Sequence, residues 1–352
     1  MSIAPTEALV RCIEHREIFQ DEMLSLWRRL MSGELTPVQI AALTMGLRVK
    51  KETIGEIAAA AQIMREFATK VELTDRTHLV DLCGTGGDSA GTFNISTASM
   101  FVAAAAGARV AKHGGRSVSS GSGSADVLEA LGAKITLTPE QVAKCIDETG
   151  IGFMFAPNHH AAMKHAAPVR KELGVRTIFN LLGPLTNPAG ASHQLIGVGH
   201  PDIARKLAEV LKLLGSTRTV LVHSEEGLDE IGIAGKSAIT EWDAQRAAIS
   251  EYAISPEQFG LERGSARDLI GGDVVTNVAI TRSILGGETG PRRTITLLNA
   301  GAGIYAAERA ESIEEGIVLA AESIDSGDAL ERLERLVSVT RQLVEARQKV
   351  SA

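Results

Sequence analysis

With 352 residues, the chain is long enough for two domains, or for one large domain with an appendage. Hydrophobic residues at 44% and charged residues at 22% are ordinary for a soluble globular protein, and a net charge of −7 argues against a general nucleic-acid surface. Cys12, Cys83 and Cys145 are far apart and form neither a CxxC nor a metal-ligand spacing, as expected of a cytoplasmic protein in a reducing compartment. Charged residues interrupt every short apolar run near the start, so no signal peptide is expected, and the Ala-rich stretch 100–106 is too short to span a membrane.

The first seventy residues predict helices. Thr36-Pro37-Val38-Gln39 and Thr53-Ile54-Gly55-Glu56 are capping boxes, the first with proline at the opening helical position. Ile54, Ile57, Ala58, Ala61, Met64 and Phe67 follow at helical spacing. The polar stretch 73–77 then predicts a crossing into a second domain. Beyond it, short apolar strands alternate with helical stretches, which argues for an α/β sheet.

The first strand, 78–83, runs into Gly84-Thr85-Gly86-Gly87-Asp88, and a helix follows from about residue 96 to 107. A strand, a glycine-rich turn and a helix start present backbone N–H groups to a phosphate. The glycines match neither G-x-G-x-x-G nor a Walker A loop. Asp88 would repel a bare phosphate, which points to a bridging metal, a ribose hydroxyl or a role in capping the loop. A second strand and glycine turn follow at 109–116, where Lys112, His113 and Arg116 offer charge and Ser117, Ser119 and Ser120 offer hydroxyls. A helix is expected over 125–131, ending at Gly132. The pair of turns suits a ligand with phosphates at both ends; the alternative is a solvated basic loop with Ser124 as a helix cap.

Further along, Thr138 to Gln141 caps a helix that stops at Gly150, and strands are expected at 153–155, 195–198 and 220–222, with a helix over 202–214. Asp229-Glu230 follows the last strand. Adjacent carboxylates suit Mg2+, which binds hard oxygens and keeps several waters, but they also suit surface charge. His159, His160 and His165 lack zinc-site spacing and are better read as lining a pocket or satisfying backbone groups. Ser312 to Glu315 caps a final helical region that runs with breaks to about residue 349.

Several strings together resemble the anthranilate phosphoribosyltransferase family: Gly84–Asp88, Asn94-Ile95-Ser96-Thr97, Lys112–Arg116, 123–132, 155–160, 167–170, 176–188 and 227–231. They occur in order over essentially the whole chain. The resemblance implies transfer of a phosphoribosyl group from phosphoribosyl pyrophosphate (PRPP) to anthranilate, with Mg2+, in tryptophan biosynthesis. It places PRPP at Gly84, Gly87, Asp88, Thr92, Asn94, Ile95, Ser96, Thr97, Lys112, Ser119, Ser120 and Ser124. Mg2+ falls to Ser96, Asp229 and Glu230, and anthranilate to Gly84, His113, Gly115, His160 and Arg170, with Arg170 meeting its carboxylate. The implied fold is α/β: a small N-terminal helical domain (1–75, with a returning segment near 174–190) and a large α/β domain (76–352) whose central mixed or parallel sheet is flanked by helices. A homodimer through the helical domain is also implied.

Two positions depart from the family pattern, both on the acceptor side. Gly115 stands where the family usually has Asn, and His165 where it often has Tyr. Three alternatives remain open in the sequence: another aromatic acceptor, a nucleoside-phosphorylase-like enzyme, or a non-catalytic relative that binds nucleic acid. Arg170 also has an alternative, a surface ion pair with Glu172 or a neighbour.

Overall fold

A computed structural model describes residues 2–86, 90–116 and 121–351. Its centre is a seven-stranded sheet: β1 (Leu79–Gly84), β2 (Arg109–Gly114), β3 (Ile151–Phe155), β4 (His193–Gly197), β5 (Arg218–Ser224), β6 (Ser237–Asp243) and β7 (Ala248–Ile254), in the order β3-β2-β1-β4-β5-β6-β7. The strands are parallel from β3 to β5, and β6 and β7 are antiparallel. The parallel strands are largely buried, as strands covered by crossover helices must be. The edge strand β7 is mostly exposed and carries Ser250 and Glu251, which discourage further edge pairing.

Apolar packing around the sheet has two main parts. The larger joins Val80, Val110, Ile151 and Val220 to helix Ile95–Ala105 and to the C-terminal helices Val274–Leu285, Pro291–Ala306, Ile313–Asp325 and Asp328–Ser351. The second builds the N-terminal helical lobe from Pro5–Ile13, Gln20–Met31, Pro37–Lys50 and Ile54–Phe67. Ile178, Phe179, Leu182 and Leu185 pack into this second cluster, with the Phe179 ring 5.3 Å from that of Trp27. The same cluster reaches Ile196, Leu207 and Leu221, so the lobe is seated on the sheet.

The capping boxes at Thr36, Thr53 and Thr138 form, and Gly150 ends its helix in the left-handed conformation. Glu56 does more than cap. Its carboxylate accepts from Ile18 N–H and Thr53 N–H, each at 2.9 Å, and pairs with buried Lys50 at 2.7 Å. Periodicity did not reveal the β6–β7 hairpin or helices Val274–Leu285 and Pro291–Ala306; the hairpin turns at Ala247, which takes a positive φ without glycine.

Candidate active site

The chain leaves β1 towards β2 on one side, while β4 leads to β5 on the other. The crevice beyond the carboxyl ends of β1 and β4 is therefore the switch point where open α/β sheets bind ligands. The turn after β1 is tied across this crevice. Thr85 N–H donates to Gly197 O at 2.8 Å, and Gly199 N–H donates to Thr85 Oγ1 at 3.0 Å. Gly86 N–H donates to Asp229 Oδ2 at 2.9 Å.

Two glycines are required by close approach. A Cβ on Gly84 would lie 2.6 Å from Asp229 Oδ2, and one on Gly197 would overlap the Asp229 carbonyl. The Asp229-Glu230 loop is pinned on both sides. Leu228 N–H donates to Ser224 Oγ at 3.1 Å, and Asn299 exchanges hydrogen bonds of 2.9 Å with the N–H and O of Ile231. Both carboxylates are half-buried, and the Glu230 charge acts on Lys112 from nearby. Adjacent hard oxygens beside a glycine turn fit the ligand preference of Mg2+, which would take further oxygens from phosphates and water.

Lys112 is buried, and Nζ donates to Leu82 O and, at 3.1 Å, to Ser96 Oγ. Burial lowers its pKa, against the charges of Asp81, Cys83 and Glu230. Behind it, burial pushes buried Asp81 up to about 6, opposed by Lys112 and by hydrogen bonds that include Asn187 Nδ2 at 2.7 Å.

Other donor-side residues hold the structure together. Asn94 Nδ2 donates to Ser122 O at 3.1 Å, while its Oδ1 accepts from Ser122 Oγ at 3.1 Å and Asn277 Nδ2 at 3.2 Å. Ile95 places its side chain in the core and gives its N–H to Phe93 O. Thr97 is fully buried, its hydroxyl without a hydrogen-bond partner among the described residues. Thr92 bridges Ile270. Ser124 opens its helix behind Gly123 and does not cap it; its Oγ sits against Gly114. Gly87, Asp88, Ser117, Ser119 and Ser120 lie outside the described residues.

Of the three groups read as positive or potentially positive in the second turn, the Arg116 charge is met locally and His113 is neutral. Arg116 is paired with Asp126 at 2.7 Å and Glu129 at 2.9 Å. His113 is held neutral because burial, then His160 and His159, lower its pKa to about 3. Among these three, Lys112 is the one whose buried ammonium points inward, to Leu82 O and Ser96 Oγ.

On the acceptor side, the His113 and His160 rings lie 4.9 Å apart. His160 is buried, and among the described residues neither its ring nitrogens nor His113 Nε2 make a well-aligned hydrogen bond; the backbone of Thr186 and of Gly183 lies near the His160 and His113 rings respectively. Burial, then His159, lowers the His160 pKa to about 4. His159 takes a different role, its Nδ1 lying 2.8 Å from Thr69 O. His165 packs over Gly33 in the helical lobe. Arg170, on helix Ala167–Leu173, is half-buried and stacks over Phe179 at 5.3 Å, and burial lowers its pKa. It pairs with no carboxylate among the described residues, which removes the Glu172 alternative. Beside Gly115 there is open space: a Cβ there would meet nothing within 4 Å among the described residues.

Sequence patterns missed Gly197, Gly199, Asn277 and Asn299 as site residues, because each acts across long sequence separations, and Asn187 was visible only inside the string 176–188. Arg176 was visible only inside a longer string. Its Nη1 donates to Gly86 O at 2.6 Å and its Nη2 to Thr85 O at 3.2 Å.

A helical lobe set on a mixed sheet, with adjacent carboxylates at its switch point, is the arrangement of a class of glycosyl-transferring enzymes. A family model described as "Glycosyl transferase family, helical bundle domain" matches residues 6–68, and one described as "Glycosyl transferase family, a/b domain" matches 76–330. An anthranilate phosphoribosyltransferase of Leptothrix cholodnii is 62% identical over 97% of this chain and 98% of its own. Among solved structures, an anthranilate phosphoribosyltransferase from Thermus thermophilus superposes with a TM-score of 0.89 at 44% identity, covering 95% of this chain and 99% of that one. The Saccharomyces cerevisiae enzyme, in complex with PRPP and Mg, gives 0.87 at 26% identity, covering 96% and 98%. The chain belongs to the anthranilate phosphoribosyltransferase family.

Proposed function

We propose that the chain transfers the 5-phosphoribosyl group of PRPP to the amine of anthranilate, releasing pyrophosphate, in the second step of tryptophan biosynthesis from chorismate. The observation that carries this reading is the contact between the Asp229 carboxylate and the Gly84–Gly86 turn at the switch point. Mg2+, bound through Asp229, Glu230 and Ser96, would neutralise charge on the departing pyrophosphate. Ser96 Oγ beside Lys112 Nζ provides a polar, positively charged wall for the donor. As the anomeric C–O bond breaks and the C–N bond forms, positive charge grows on the ribose, so the protein's work is mainly positioning and charge stabilisation. The aromatic amine attacks as a neutral nucleophile and afterwards loses a proton. Arg170, lacking a protein carboxylate, would pair with the anthranilate carboxylate. The neutral His113–His160 pair would line the acceptor pocket without adding a second cation.

The remaining PRPP positions, Gly87, Asp88, Ser119 and Ser120 among them, are assigned by resemblance to the family. A homodimer through the helical lobe is supported by exposed apolar side chains there. Val10 and Ile13 lie one turn apart on one helix, and Val38 and Val49 fall on a common face of another. No helix among the described residues is long and apolar enough to cross a membrane; a cytoplasmic location is part of the proposal.

The test is turnover of PRPP with Mg2+ and anthranilate, followed by pyrophosphate release and loss of anthranilate fluorescence. Robust turnover is expected. Donor binding without turnover would move the assignment to another aromatic acceptor, the alternative that Gly115 and His165 keep open.

A further inference from the structure

Arg176 lies outside the donor, acceptor and metal positions assigned above, yet its side chain spans from the acceptor segment to the donor turn. Two residues after it, Ile178 and then Phe179 are buried in the helical-lobe cluster. The guanidinium reaches Gly86 O at 2.6 Å and Thr85 O at 3.2 Å. It makes no ion pair with a carboxylate among the described residues, so these carbonyls receive its charge.

The two residues that bear these carbonyls are already tied down through their own N–H groups. Thr85 N–H and Oγ1 are held by Gly197 and Gly199, and Gly86 N–H holds Asp229 Oδ2. Gly86 takes a φ of +64°, a conformation that glycine adopts without a Cβ penalty. Carbonyls are the wrong polarity for a phosphate, so a turn that presents N–H groups must face its carbonyls elsewhere and satisfy them there. A planar guanidinium with donors in a fixed fork can take two neighbouring carbonyls at once.

We infer that Arg176 is a positioning residue that locks the PRPP turn from the acceptor side of the crevice. It fixes the orientation of the Thr85–Gly86 peptides, and through Gly86 N–H the carboxylate of Asp229. It touches neither substrate nor metal. Because its backbone is rooted in the helical-lobe cluster, the shape of the donor turn depends on how that lobe is seated.

This inference rests on the PRPP reading and deepens it. The experiment compares wild type with Arg176→Met and Arg176→Lys. It measures the KM for PRPP and for anthranilate, the Mg2+ concentration at half-maximal rate, and the rise in melting temperature on adding PRPP and Mg2+ without acceptor. Losing one or two charge-assisted bonds is expected to raise the KM for PRPP in Arg176→Met by about 10- to 100-fold. The Mg2+ requirement should rise as well, the ligand-induced thermal shift should shrink, and the anthranilate KM should move by less than about threefold. Arg176→Lys, which retains the charge and can reach one carbonyl, should recover part of the loss.

An unchanged PRPP KM in Arg176→Met would overturn the inference. So would a fall in unliganded melting temperature with both KM values rising together, because that marks general destabilisation. Wild type that neither turns over nor shows a PRPP-induced shift would instead overturn the PRPP reading itself.

Discussion

Arg170 and the two histidines show how burial treats a charged and a neutral group differently. Arg170 is half-buried, stacked on Phe179 and in no ion pair with a carboxylate among the described residues; the proposed function gives it the acceptor carboxylate. Arg170→Ala is expected to raise the anthranilate KM by about 10- to 100-fold, corresponding to a lost charge-assisted bidentate contact, with the PRPP KM little changed in steady-state kinetics. His113 and His160 stay neutral in the fold, with pKa values of about 3 and about 4 against an ordinary 6.5. Between pH 6.5 and about 4 the unfolded chain therefore binds more protons than the folded one, and their contribution to stability is lost as pH falls through that window. Thermal denaturation across this range should show the loss, and His160→Phe should flatten the profile. Gly115 faces open space among the described residues. Gly115→Asn should fold within about 0.5 kcal/mol of wild type and improve anthranilate use. No gain, or a loss, would indicate a pocket shaped for a different acceptor.

Among the elements, the strand ends and their loops decide where chemistry can occur. The Asp229-Glu230 loop is pressed so closely on Gly197 that a single methyl group has no room. Gly197→Ala should displace the carboxylates, raising the Mg2+ concentration at half-maximal rate as well as lowering the melting temperature. In the helical lobe, Lys50 and Glu56 form an ion pair that is almost fully buried, and Glu56 also holds two N–H groups. Lys50→Met leaves a buried carboxylate without its cation and should destabilise the fold by about 3–5 kcal/mol in chemical denaturation. The capping boxes around Thr36, Thr53 and Thr138 were legible from local spacing because caps are local interactions. The β6–β7 hairpin escaped because its pairing carries no glycine turn signal, and Ala247 takes the left-handed conformation instead.

At the scale of the whole molecule, the helical lobe is joined to the sheet by apolar packing that includes residues 178–185 and 196–221. Arg176 crosses from the segment before residues 178–185 to the carbonyls of Thr85 and Gly86 at the end of β1. Ile13 at 77% and Val38 at 78% exposure are the apolar side chains of the lobe on which the proposed dimer rests. Sedimentation should give a dimer for wild type and a monomer for Ile13→Glu combined with Val38→Glu, with the fold retained by circular dichroism.

Sequence alone determined the α/β class, the helical N-terminal region, the two glycine turns and, by resemblance, the residues expected to hold donor, metal and acceptor. These are carried by local backbone chemistry and by motifs a few residues long. Tertiary structure decided how the side chains are used. Arg116 is taken by Asp126 and Glu129, Asn94 is bound to Ser122 and Asn277, and Arg170 stacks on Phe179 with no carboxylate partner among the described residues. Such outcomes depend on which groups the fold brings within hydrogen-bond reach from positions up to 183 residues apart, as with Asn277 and Asn94. No local pattern encodes that proximity, because it is set by the order of strands in the sheet and the packing of helices over them.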